Sequence, residues 1–161
     1  MRRTYNVLGW VIAGFVMLQA ALIAWGVGGE NRFIENGGVM DKALAEAAEG
    51  GGEPPFPEAI AFQIHSLNGI LMPVLALILV GISFGAKLPK ARRNAGILFG
   101  LIFVQHGLGM AIVDSPLFGL AHGLNALLVF MAALMIARHK PSSAVGGNGE
   151  AADVELTSAG L

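Results

Sequence analysis

Four apolar runs alternate with polar segments along this chain, at about residues 5–28, 59–86, 95–113 and 115–137, and none contains Asp, Glu, Lys or Arg. At 1.5 Å per residue each run spans roughly the 30 Å of a bilayer's hydrocarbon core. Backbone groups in lipid have no water to bond, so each run must close its hydrogen bonds internally as a helix. Short connections at 87–94 and at Asp114 make the second, third and fourth helices antiparallel neighbours. The predicted fold is all-α: an integral membrane up-down four-helix bundle over residues 5–139.

The polar segments are of two kinds. Residues 29–58 contain VMDKALAEAAEG, whose apolar spacing predicts a short amphipathic helix ended by Gly50 to Gly52, followed by the stiff stretch EPPFPE. This segment either caps the mouth of the bundle or runs as a solvated linker. Residues 141–161 are rich in Gly, Ala and Ser with no apolar period, which predicts a disordered tail.

Composition agrees with the pattern. Only 13% of the 161 residues are charged, against about 25% in soluble proteins. Arg2 and Arg3 precede the first run as in a signal peptide, but the run is longer than a signal's apolar core and ends in AWGVGG, with no A-x-A site. It reads as a membrane helix. Absence of cysteine excludes disulfides, thiolate metal sites and iron–sulfur clusters. Arg2, Arg3, Lys87, Lys90, Arg92, Arg93, Arg138 and Lys140 all flank one side, whereas the 29–58 segment carries seven acidic residues against Arg32 and Lys42. The positive-inside rule then places both termini in the cytoplasm of a bacterium, with lipid as the surrounding partner. The charge asymmetry reports topology; nucleic-acid binding is not expected.

The two halves carry matching motifs. GFVMLQ at 14–19 matches GLIFVQ at 100–105, and HSLN at 65–68 matches HGLN at 122–125. A 2+2 internal repeat about an axis along the membrane normal follows, with the second and fourth helices on a diagonal and His65 facing His122.

Chemistry is concentrated in one layer. His65 lies seven residues beyond Glu58, and His106 and His122 each lie eight residues from Asp114, about 10 to 12 Å below the boundary. Gln19, Gln105, Asn68 and Asn125 lie within about one further turn. Three histidines and four amides at one depth need a common reason, because polar groups in lipid are costly. Three readings meet that need. Haem b held by axial His65 and His122 uses neutral imidazole nitrogens, with Gln19, Gln105, Asn68 and Asn125 supporting the ligands or meeting propionates, His106 as a propionate partner or alternative ligand, and small residues (Gly69, Gly107, Gly109, Gly123, Ala126) making room for the ring. A non-haem zinc or copper site would use three imidazoles in a metal-handling or transport protein. A scaffold or assembly subunit would use the layer only for packing and interhelical hydrogen bonds. Met17, Met72, Met110 and Met131 are expected as core filler. Trp10 and Trp25 are expected as interfacial anchors.

The HGLNALLVFMAALMIAR stretch, the histidine of the second helix and the short basic loop after it resemble a family of small uncharacterised four-span bacterial membrane proteins. The placement of one histidine near the same end of the second and fourth helices is also similar to one half of haem A synthase. The likeness covers residues 5–139 in architecture and is specific around His65 and His122, which it implies are haem ligands. Haem A synthase carries a glutamate three residues before a histidine, where this chain has Phe62 and Gly119. The resemblance therefore implies haem binding without the hydroxylation chemistry. The expected function is a membrane cytochrome b-like electron carrier or respiratory-complex subunit, with a quinol or external redox partner and no catalytic side chain of its own.

Overall fold

The computed structural model describes residues 1–49 and 53–139. The glycine stop at 50–52, Lys140 and the 141–161 tail lie outside the described residues. Five α-helices account for most of the rest: α1 (Arg2–Glu35), α2 (Lys42–Glu49), α3 (Ile60–Ser83), α4 (Ala91–Met110) and α5 (Pro116–Ala137), with single 3-10 turns at Pro57–Ala59 and Ala111–Val113. Four helices are long and apolar enough to cross a membrane, which makes this a multi-pass membrane protein.

Helix α1 runs further than its apolar run. Its 34 residues measure about 51 Å, so the last turns stand clear of a bilayer. Gly28 and Gly29 do not end it; the stop comes at Asn36 and at Gly37, whose φ is +89°. The glycine at 29 serves packing, with its bare Cα against the Glu58 side chain. Helix α2 starts where Asp41 accepts the Leu44 N–H at 2.9 Å. Helix α5 starts at Ser115, whose hydroxyl accepts the Leu117 N–H, with Pro116 in the first turn.

The spanning helices form a ring in which α1 and α4 each pack against both α3 and α5. Helices α3 and α5 therefore occupy one diagonal and α1 and α4 the other, as the repeat predicts. The two ends of the ring differ. At the basic end the Tyr5 hydroxyl donates to the Ala91 carbonyl at 3.0 Å, and Asn6 Nδ2 donates to the Ala137 and His139 carbonyls at 3.0 and 2.9 Å. Gly9 lets α1 approach α5 so closely that a Cβ there would lie 2.6 Å from the Ala137 nitrogen. The largest fully buried side chains, Tyr5, Ile12, Leu79, Leu98, Val129 and Ile136, all sit in this half.

The acidic end is looser. Among the described residues, nothing in α4 after Ile102 or in α5 before Asn125 is buried. A small separate cluster covers this end on the α1–α3 side. Ala48, Phe56 and Ala59 are buried, Phe33 stacks on Phe56 at 5.5 Å, Arg32 pairs with Glu58, and Gln63 Nε2 donates to the Ala47 carbonyl at 3.4 Å. The segment after α1 is thus packed on the bundle.

Trp10 and Trp25 are half exposed toward opposite ends of the apolar run 5–28 within α1, and the Arg138 guanidinium lies over the Trp10 ring. Of the four methionines expected in the core, Met72 is buried, whereas Met17, Met110 and Met131 are more than 60% exposed. Lipid accepts an exposed thioether as readily as a core does, so apolarity alone does not sort the two environments.

The Gly9 approach makes a sharp prediction. Gly9→Ala should lower unfolding stability in mixed micelles by about 1 to 3 kcal/mol, because the Cβ overpacks against main chain. Gly14→Ala, where a Cβ meets nothing within 4 Å, should leave it equal or raised by a few tenths.

Candidate functional site

The diagonal placement brings His65 of α3 and His122 of α5 together at the centre of the ring. Their imidazole centroids are 6.3 Å apart with planes inclined at 53°. Each histidine is tied to the preceding helix of its own half by the same contact. His65 Nδ1 lies 3.3 Å from the Gln19 main-chain oxygen, and His122 Nδ1 lies 3.1 Å from the Gln105 main-chain oxygen. A carbonyl oxygen only accepts, so each Nδ1 carries the proton and each Nε2 keeps its lone pair. The carbonyl has a second lone pair and can take this bond beside its intrahelical one.

This arrangement changes the role expected for the glutamines. They do orient the histidines, but through main-chain oxygens instead of side-chain amides. The amides tie the helices together in two different ways. In the second half, Asn125 Nδ2 donates to the Leu101 carbonyl at 2.9 Å and to Gln105 Oε1 at 2.7 Å. In the first half, Gln19 Nε2 donates to the His65 carbonyl at 2.9 Å. Gln19 Oε1 is left buried without a partner. Asn68, the counterpart of Asn125, is 8% exposed and forms no hydrogen bond among the described residues.

His106 does not join the pair. It lies on the exposed side of α4 with no side-chain partner among the described residues. The repeat explains why: with Gln19 matching Gln105, His106 corresponds to the exposed Ala20 and not to a member of the His65 and His122 pair. Gly109 faces the site, since a Cβ there would lie 3.1 Å from His122 Cε1, whereas Gly69, Gly107 and Gly123 have open space at the Cβ position. Ala126 is half-buried, one residue past Asn125.

The donor set discriminates between metal centres. Among the described residues, no group of three or more His, Cys, Asp or Glu side chains is gathered to hold an ion. A zinc site built from protein ligands needs at least three, so the three-imidazole arrangement is not assembled. A porphyrin brings four nitrogens of its own and asks the protein only for axial ligands. With metal–nitrogen bonds of about 2.0 Å, two imidazoles on opposite sides of one ion would have centroids about 6 Å apart. The observed 6.3 Å is compatible with that separation, and His65 and His122 each have an Nε2 lone pair to offer.

Comparison of the chain with protein-family models, with curated proteins and with solved structures finds no match.

The unequal halves predict unequal mutational costs. Asn125→Leu strands Gln105 Oε1 and should destabilise the protein by about 1 to 3 kcal/mol. Asn68→Leu removes an amide that bonds to nothing and should be neutral or stabilising. Equal losses for the two variants, read by unfolding in mixed micelles, would contradict the asymmetry.

Proposed function

We propose that this protein is a membrane cytochrome b-like electron carrier that holds one haem b between His65 and His122. The observation that carries the reading is the pair of imidazoles from diagonal helices, 6.3 Å apart, each with its Nδ1 proton fixed on a glutamine carbonyl. A histidine that ligates metal through one nitrogen commonly donates its other N–H to a carbonyl in this way. The loose packing of α4 and α5 around the pair supports room for a cofactor at this end. Bound haem supplies a reversible one-electron centre, and axial ligation by two imidazoles suits transfer over oxygen activation.

His65 and His122 are the ligands in this reading. Gln19 and Gln105 orient them and hold each ring in one tautomer. Gly109 gives the His122 ring its place beside α4. The likeness to one half of haem A synthase supports the same two ligands, and the absence of a glutamate at Phe62 and Gly119 speaks against the haem-hydroxylating reaction. The basic flanks support a reading with both termini in the cytoplasm and the haem toward the outer face, where a quinol or an external protein would be the exchange partner.

A scaffold reading draws on the bonds from Gln19 to His65 and from Asn125 to Leu101 and Gln105, which join neighbouring helices. It explains the amides but gives no reason for two unshared Nε2 lone pairs at the centre. The deciding measurement is the absorption spectrum of detergent-purified protein from haem-replete cells. A Soret band with sharp α and β bands on dithionite reduction is expected. His65→Ala and His122→Ala should each abolish the low-spin spectrum, while His106→Ala should leave it intact. A colourless, iron-free wild type would rule the haem out.

A further inference from the structure

Among the described residues two buried side-chain oxygens lack a donor, Asn6 Oδ1 at the basic end and Gln19 Oε1 beside the histidine pair. Gln19 Oε1 is buried and accepts nothing, while its equivalent, Gln105 Oε1, takes a bond from Asn125. The side chain that would fill this role by symmetry, Asn68, is 92% buried and unbonded. Rotating the Gln19 amide does not repair the defect, because its Nε2 donates to the His65 carbonyl at 2.9 Å and an oxygen in that place would face another acceptor. A buried acceptor with no donor is costly. The first half therefore leaves open what the second half closes: one acceptor, Gln19 Oε1, and one amide that both donates and accepts, Asn68, a single turn beyond His65.

A ligand that answers both must donate and accept at one atom. A hydroxyl does this, whereas an ionised carboxylate cannot donate and an ammonium cannot accept. The setting selects further. The surfaces of α1 and α3 flanking the amides carry exposed Met17, Leu18, Leu67 and Leu71, so a ligand arriving from this side comes through hydrocarbon. Gly69, next to Asn68, has nothing within 4 Å of its Cβ position, so no side chain closes α3 there. We infer that Gln19 and Asn68 form a binding site for the ring hydroxyl of a membrane quinol, on the His65 side of the central pair. The inference rests on the haem reading for its choice of a redox-active hydroxyl.

The site has a directional signature. Gln19 Oε1 accepts only from the reduced ring, because the oxidised quinone has no O–H to offer. Binding should favour quinol over quinone.

The test is equilibrium dialysis of a short-chain benzoquinol and of its quinone, under anaerobic conditions, against the full-length protein in detergent, with the absorption spectrum recorded on the same samples. The expected result is quinol binding about tenfold tighter than quinone binding. Gln19→Leu and Asn68→Leu should each weaken quinol binding by about tenfold and leave quinone binding little changed. The Soret band should persist in the Asn68→Leu variant, since Asn68 neither ligates the haem nor bonds a residue that does. Equal binding of the two redox forms to the unmodified protein, or no binding, would overturn the inference while the spectrum still reports haem. This comparison needs no variant, so it stands even if a substitution impairs folding. Quinol affinity untouched by both substitutions would overturn it as well. A protein without haem would overturn the functional reading first, and this inference with it.

Discussion

An imidazole N–H inside hydrocarbon has no water to turn to, and that constraint organises this bundle. Each central histidine must find an acceptor on a neighbouring helix, at the level where its ring enters. The main-chain oxygens of Gln19 and Gln105 meet this need. Satisfying one nitrogen in this way fixes the tautomer, leaves the other nitrogen its lone pair, and registers α1 against α3 and α4 against α5. Helix pairing, ring orientation and the availability of two lone pairs thus share one cause.

The rest of the fold serves that layer from a distance. Apolar packing is densest at the basic end, where Gly9 and Asn6 seat α1 tightly on α5 and the Tyr5 hydroxyl reaches across to the first residue of α4. The end that carries the histidines is left looser, with no buried side chain among the described residues on α4 beyond Ile102. Rigidity at one end and openness at the other is the distribution a site needs when its polar groups must be positioned without being walled in. The packed segment after α1 covers the acidic end on the α1–α3 side.

Much of this was legible in the sequence. Charge-free runs marked the four helices, and the HSLN and HGLN tetrads with the GFVMLQ and GLIFVQ matches placed His65 opposite His122, because equivalent helices in an up-down ring fall on a diagonal. Other features escaped for identifiable reasons. Depth alone put His106 in the layer, but angle around the helix decides which residue reaches the centre, and neighbours in sequence differ by about 100°. The Gln105 and Gln19 match holds the needed angle, since it aligns His106 with Ala20. The glutamines were recognisable as residues, while the atom they use was not, because a main-chain acceptor leaves no mark in composition. The length of α1 was missed because the apolar run ends before the helix does: polar residues after Gly29 are as compatible with a solvated helix as with a loop.

The unequal connectors give the two halves unequal entropic costs. Gln105 and His122 are 17 positions apart, whereas Gln19 and His65 are 46 apart, and both pairs make the same bond. Closing the longer separation costs more chain entropy. The histidine contact inside the α4–α5 hairpin is therefore the cheaper of the two to close. A repeat that is near-symmetric in space is unsymmetric in chain entropy, and the costlier half is the one that keeps Gln19 Oε1 without a donor.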